Sequence, residues 1–160
     1  MFTGMDSPGA GSGRLVVGIG NDFRGDDAAG LLAARKLAEL NISDVRIVES
    51  GGDGAAIMEL WQGLDLAIVI DAVSSGEKPG IVYRFEPLTG PIKSGLFSRG
   101  STHDFGLLQA VELSRAMGAF PRRLIVYGIA GASFRPGTGI SDDVSSAIEK
   151  LISRVLEDLA

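Results

Sequence analysis

The stretch Leu15-Val-Val-Gly-Ile-Gly-Asn-Asp-Phe-Arg-Gly-Asp-Asp-Ala-Ala-Gly30 decides how the chain folds. The run from Leu15 to Gly18 has the β-branched character of a strand, and Gly20 and Asn21 then open a loop. Beyond the loop, Gly30, Ala33, Leu37 and Leu40 recur at helical spacing, with Arg35, Lys36 and Glu39 on the opposite side. A strand, a loop and an amphipathic helix in that order begin an α/β domain.

The same alternation continues along the chain. Val45 to Val48 reads as a second strand, and Ala55 to Leu60 as a short helix after Ser50-Gly51-Gly52. Leu66 to Ile70 is apolar without alternation, as a central strand covered on both faces should be. After Pro79 and Gly80, Ile81 to Phe85 reads as an edge strand, since Arg84 interrupts it. Pro87 to Thr102 is the longest irregular segment. A helix follows from about Asp104 to Gly118, with Leu107, Leu108 and Val111 inward, then a strand from Leu124 to Ile129. Val144, Ala147, Ile148, Leu151, Ile152, Val155 and Leu159 mark a closing amphipathic helix, with Ser141 as its expected cap. The expected architecture is three-layer α/β/α around a twisted, mostly parallel sheet of about five strands, in one domain spanning 14–160.

Composition narrows the functional classes. With 160 residues, 45% of them apolar and 22% charged, the chain can bury one core, which excludes disordered and fibrous classes. No apolar stretch reaches the roughly 20 residues that cross a bilayer, so no membrane partner is expected. A formal charge of −5 without a basic cluster disfavours nucleic acid. The absence of cysteine removes disulfides, thiolate metal sites and thiol nucleophiles, leaving oxygen and imidazole as metal donors. Residues 1–13 carry Asp6 but no basic residue and no apolar run, and are expected to form a Gly/Ser tail on a cytoplasmic protein.

The loop from Gly18 to Asp27 stands where a nucleotide-binding loop would, but its residues are wrong for phosphate. A dinucleotide fingerprint starting at Gly18 needs glycine at position 23 and meets Phe23, and a Walker loop running Gly20 to Gly25 meets Asp26 and Asp27 instead of Lys and Ser/Thr. Two carboxylates occupy the position an anion would want. Helix capping accounts for such a pair at about 0.5–2 kcal/mol without any function, with Asp26 as N-cap and Asp27 in the first turn. Position favours more for Asp27, because ligands of open α/β sheets bind outside the carboxyl ends of the strands.

Asp71 follows Ile70 at the expected end of the third strand, on the same edge; a turn-forming role is the plainer alternative. His103, the single histidine, lies in Ser101-Thr-His-Asp-Phe just before a helix, where the neutral, metal-binding imidazole is favoured over the cation. A packing or surface role is the plainer reading for a lone histidine. If Asp27, Asp71 and His103 converge, two carboxylates and one imidazole suit a divalent transition metal. No Gly-x-Ser-x-Gly elbow is present, a single histidine excludes a His-Glu-x-x-His helix, and a metal-free aspartic dyad of Asp27 and Asp71 would need the two carboxyls to share a proton.

With these residues laid out, the chain resembles the hydrogenase maturation proteases from about Arg14 to the last helix. The resemblance is carried by the segment Gly18 to Gly30, by Val69-Ile-Asp-Ala72, Pro79-Gly80, Ser101-Thr-His-Asp-Phe-Gly-Leu107 and Tyr127-Gly-Ile129, in the right order and with compatible spacing. It implies that Asp27, Asp71 and His103 hold the metal and carry catalysis. It also implies an endopeptidase that recognises nickel already placed in a nickel-iron hydrogenase large-subunit precursor, then removes a short C-terminal peptide. Nickel would come with the precursor, and no tightly bound organic cofactor is expected. Two positions depart from the family pattern: Ala28 stands where glycine is frequent, and Ala130-Gly131 replaces a Gln-Pro pair. The second departure motivates a different class of function, a non-catalytic maturation chaperone that binds the metal-loaded partner without cutting it.

Overall fold

In a computed structural model the described residues are 13–90 and 104–160, with backbone alone described for Asp104 and Phe105. Five strands among these residues form one sheet: β1 (Arg14–Ile19), β2 (Val45–Ser50), β3 (Leu66–Val73), β4 (Val82–Phe85) and β5 (Arg123–Ala130). Their spatial order is β2-β1-β3-β5-β4, with every pairing parallel except that of β4 with β5. Among the described residues four α-helices accompany them: α1 (Ala29–Glu39), α2 (Gly54–Trp61), α3 (Asp104–Met117) and α4 (Asp142–Leu159). The expected three-layer α/β architecture with a mostly parallel sheet is present, and the expected edge strand, β4, proves to be antiparallel.

Alternation along the strands builds two cores. Val16, Ile68, Ile70, Ile125 and Tyr127 face Ala33 and Leu37 of α1 and Val144, Ile148 and Leu151 of α4. Leu15, Val17, Val69, Val73 and Val126 face Ile57 and Trp61 of α2 and Leu107 and Val111 of α3. Every residue of β3 is buried, as its uninterrupted apolar run requires of the central strand. In the second core the Trp61 indole donates to Ser114 Oγ at 2.8 Å, which satisfies the polar end of a fully buried ring.

Two close backbone approaches fix the helices over the sheet. A side chain at Gly30 would collide with the carbonyls of Ile19 and Ile70, so its absence lets the first turn of α1 rest directly on β1 and β3. A side chain at Gly106 would collide with the Gly52 carbonyl, and this contact presses the start of α3 against the loop after β2.

Several local expectations are corrected. Leu40 does not join the inner stripe of α1: the helix ends at Glu39, and Leu40 is its C-cap, about half exposed. Asp71 does not end β3. The strand continues to Val73 because Asp71, Ala72 and Val73 pair with Gly128, Ile129 and Ala130. Helix α2 begins at Gly54, capped by the Asp53 carboxylate, which accepts from the amides of Ala55 and Ala56. The expected tail, apart from Gly13, and residues 91–103 of the long irregular segment lie outside the described residues.

Candidate functional site

Strand β1 delivers the chain to the carboxyl edge of the sheet, where a 3-10 turn spanning Gly25–Ala28 precedes α1. The turn contains both Asp26 and Asp27, each 1% exposed, so neither is the N-cap of α1; Ala28 occupies that position. The Asp27 carbonyl accepts the Asn21 amide at 3.3 Å, which folds the loop back on itself.

The two neighbouring acids are used differently. Asp26 Oδ1 accepts the Ser141 amide at 2.7 Å, and Oδ2 accepts the Ala132 amide at 2.6 Å, the Ser133 amide at 3.4 Å and the Ser141 hydroxyl at 2.9 Å. Its own amide donates to the Ser133 carbonyl at 2.9 Å. Asp26 therefore fastens the first loop to the β5–α4 loop, more than 100 residues away in the chain. This corrects the capping expectation for Asp26. It also corrects the one for Ser141, which stands at the N-cap position of α4 but gives its hydroxyl to Asp26 and makes no side-chain cap bond. Further bonds extend the clasp: the Gly137 amide donates to the Phe23 carbonyl at 2.9 Å, and Arg24 Nε donates to the Phe134 carbonyl at 3.4 Å.

Asp71 lies on β3, wholly buried, between Val69 and Val73, and alternation puts it on the α2/α3 face near the carboxyl end of the strand. The 3-10 turn that holds Asp27 packs against β3, so the elements bearing the two expected ligands adjoin. Both carboxylates are thus buried in adjoining elements at the carboxyl edge of the sheet. His103 lies outside the described residues. Among the described residues, no three His, Cys, Asp or Glu side chains form a cluster that could hold a metal ion.

At Ala130-Gly131 the residues present fit their surroundings. The Gly131 amide donates to the Val73 carbonyl at 3.0 Å, a bond that proline cannot make. A side chain at Gly131 would stand 2.7 Å from Phe134 Cζ and 3.0 Å from Asp26 Cβ, so glycine here is matched to the clasp.

On the outer side of the loop, Arg35 grips Asp22 through two bonds of 2.8 Å and Glu49 through bonds of 2.9 and 2.6 Å. The guanidinium beside Asp22 holds that carboxyl below its ordinary range. The sequence separates a structural Asp26 from a functional Asp27, but it points Asp26 at the helix that follows rather than at the β5–α4 loop, where its partners lie.

Taken together, the fold and this edge define an α/β protein that presents buried acid at the carboxyl ends of its central strands. A family model for hydrogenase maturation protease matches residues 31–158, and the chain belongs to that family. The match begins after the first loop, so it includes Asp71 but not Asp27. The chain is 29% identical over 150 residues to the hydrogenase 2 maturation protease of Escherichia coli, covering 91% of this chain and 89% of that protein. It is 29% identical over 144 residues to the hydrogenase expression/formation protein HupD of Thiocapsa roseopersicina, covering 84% of this chain but 64% of HupD, just under two thirds of its length. The solved structure of the hydrogenase maturating endopeptidase HybD from E. coli superposes with a TM-score of 0.79 at 27% identity, covering 92% of this chain and 91% of that one.

Proposed function

We propose that this chain is an endopeptidase that removes the C-terminal extension of a nickel-iron hydrogenase large-subunit precursor once nickel has been inserted. Membership of the maturation protease family supports the reaction class. The single observation that carries the site assignment is the burial of Asp27 and Asp71 in adjoining elements at the carboxyl edge of the sheet. In this reading the nickel belongs to the substrate, and this chain holds it with the carboxylates of Asp27 and Asp71 and the imidazole of His103, a donor set suited to a divalent transition metal. A loaded precursor brings Lewis acidity to the scissile peptide, while an empty one offers these residues nothing to hold, so cleavage reports loading. The Asp26 clasp keeps the Asp27 turn in one geometry before substrate arrives, which limits the reorganisation needed on binding.

The test is to incubate the protein with nickel-loaded and with nickel-free precursor and weigh the large subunit. A shorter product from the loaded precursor alone is expected. An unchanged mass, under conditions where another family member cuts, overturns the peptidase reading; a stable complex without cutting would replace it with a binding function. Cleavage of the nickel-free precursor that resists chelators would replace it with a metal-free aspartic mechanism.

A further inference from the structure

We infer that Phe23 is a preformed aromatic anchor that docks into an apolar cleft on the precursor. This rests on the peptidase reading and adds a contact surface to it. Among the described residues, five large apolar side chains are exposed: Phe23 at 80%, Met117 at 66%, Leu40 at 51%, and Leu88 and Leu156 at 37%. The direction of the chain separates them. Helices that return antiparallel to parallel strands finish at the amino edge of the sheet. Leu40 caps the end of α1, Met117 ends α3, and Leu156 lies in the last turn of α4. Leu88 follows β4, which runs against β5 and so leads towards the same amino edge. Phe23 alone among the five stands at the carboxyl edge, four residues before Asp27.

Its main chain is held on both sides. The Phe23 amide donates to Asn21 Oδ1 at 2.9 Å, and its carbonyl accepts from Gly137 at 2.9 Å. Its neighbour Asp22 is gripped by Arg35, and its neighbour Arg24 bonds the Phe134 carbonyl. A phenyl ring presented to water from a pinned backbone loses little chain entropy when it enters a partner, and aromatic anchors of this kind dominate interface energetics. Because the ring rises from the loop that carries Asp27, the surface that covers it is the one that brings the scissile segment to the acids. The occupant is therefore the precursor, through an apolar cleft, rather than a second copy of this chain.

The experiment compares wild type, Phe23→Ala, Phe23→Leu and the opposite-edge control Met117→Ala. Each is measured for kcat and KM on nickel-loaded precursor, for equilibrium affinity to that precursor, and for melting temperature. Phe23→Ala is expected to raise KM and Kd about tenfold or more with kcat and melting temperature unchanged; Phe23→Leu should recover part of the affinity and Met117→Ala none of the defect. Values for Phe23→Ala within twofold of wild type overturn the inference while wild-type cleavage keeps the peptidase reading. A clear fall in its melting temperature also overturns it, by placing the ring in the chain's own packing. If wild type binds precursor without cutting, the peptidase reading falls and the affinity series still decides the role of Phe23. If wild type neither binds nor cuts, both fall.

Discussion

Asp26 receives both the main-chain amide and the side-chain hydroxyl of Ser141, at 2.7 and 2.9 Å, across 115 residues of sequence. Through this pair the turn that carries Asp27 and the start of α4 share one set of bonds. Replacing the acid strips several partly buried donors of their acceptor at once. Asp26→Ala is expected to destabilise the fold by about 3 kcal/mol, and Asp26→Asn, which keeps one accepting oxygen, by less. Urea denaturation midpoints for the two variants check this, with Ser141→Ala as the milder comparison.

The Trp61–Ser114 bond makes a separate prediction in the second core. Ser114→Ala leaves the buried indole N–H without its acceptor and should cost about 1–3 kcal/mol. In a Trp61→Phe background the donor is gone, and the same change should cost markedly less. Trp61 is the single tryptophan, so its emission spectrum follows the loss of the bond directly.

Alkaline pH should unfold the protein partly through Tyr127. Burial first, and then the neighbouring Asp158 carboxylate that accepts its hydroxyl, push Tyr127 up from 10.0 to about 12. The folded state thus keeps a proton that the unfolded chain releases near pH 10. The stabilisation is complete below pH 10 and is lost as pH rises through 12, at no more than about 1.4 kcal/mol per pH unit. Stability of wild type and Tyr127→Phe measured from pH 9 to 12 should diverge in slope over that window, with the variant flatter.

Substitution of the two buried acids separates folding from function. Asp27→Asn and Asp71→Asn keep shape and volume, so cooperative unfolding is expected to survive. Cleavage of loaded precursor should fall by more than about a hundredfold, beyond the loss seen when only supporting groups around a metal are changed. Titration with cadmium alone, followed by calorimetry, should show weaker binding in each variant than in wild type.

Much of the architecture was legible because periodicity reports burial. The all-apolar run Leu66 to Ile70 matches a strand covered on both faces, and the seven-residue stripe of α4 matches a helix facing a core. Boundaries were harder, since they depend on partners. Leu40 fits the helical spacing, but the helix stops one residue short of it. Asp71 looked like a strand terminus because carboxylates are rare inside strands, yet Gly128 opposite extends the pairing past it. The candidate site was legible as far as the residues at one sheet edge. What local pattern could not give was Asp26, whose partners lie at residues 132, 133 and 141. A capping rule reads the next few amides and has no access to such distant ones.

The contact between Gly106 and the Gly52 carbonyl governs how this protein can diversify. With no room for even a methyl group, a saturation library at position 106 screened for folded product should return glycine almost alone. The exposed residues of α3, such as Glu112 and Arg115, remain free to drift. Substitutions in this helix are therefore expected to be tolerated on its outer side and at its far end, and rejected where its first turn meets the loop after β2.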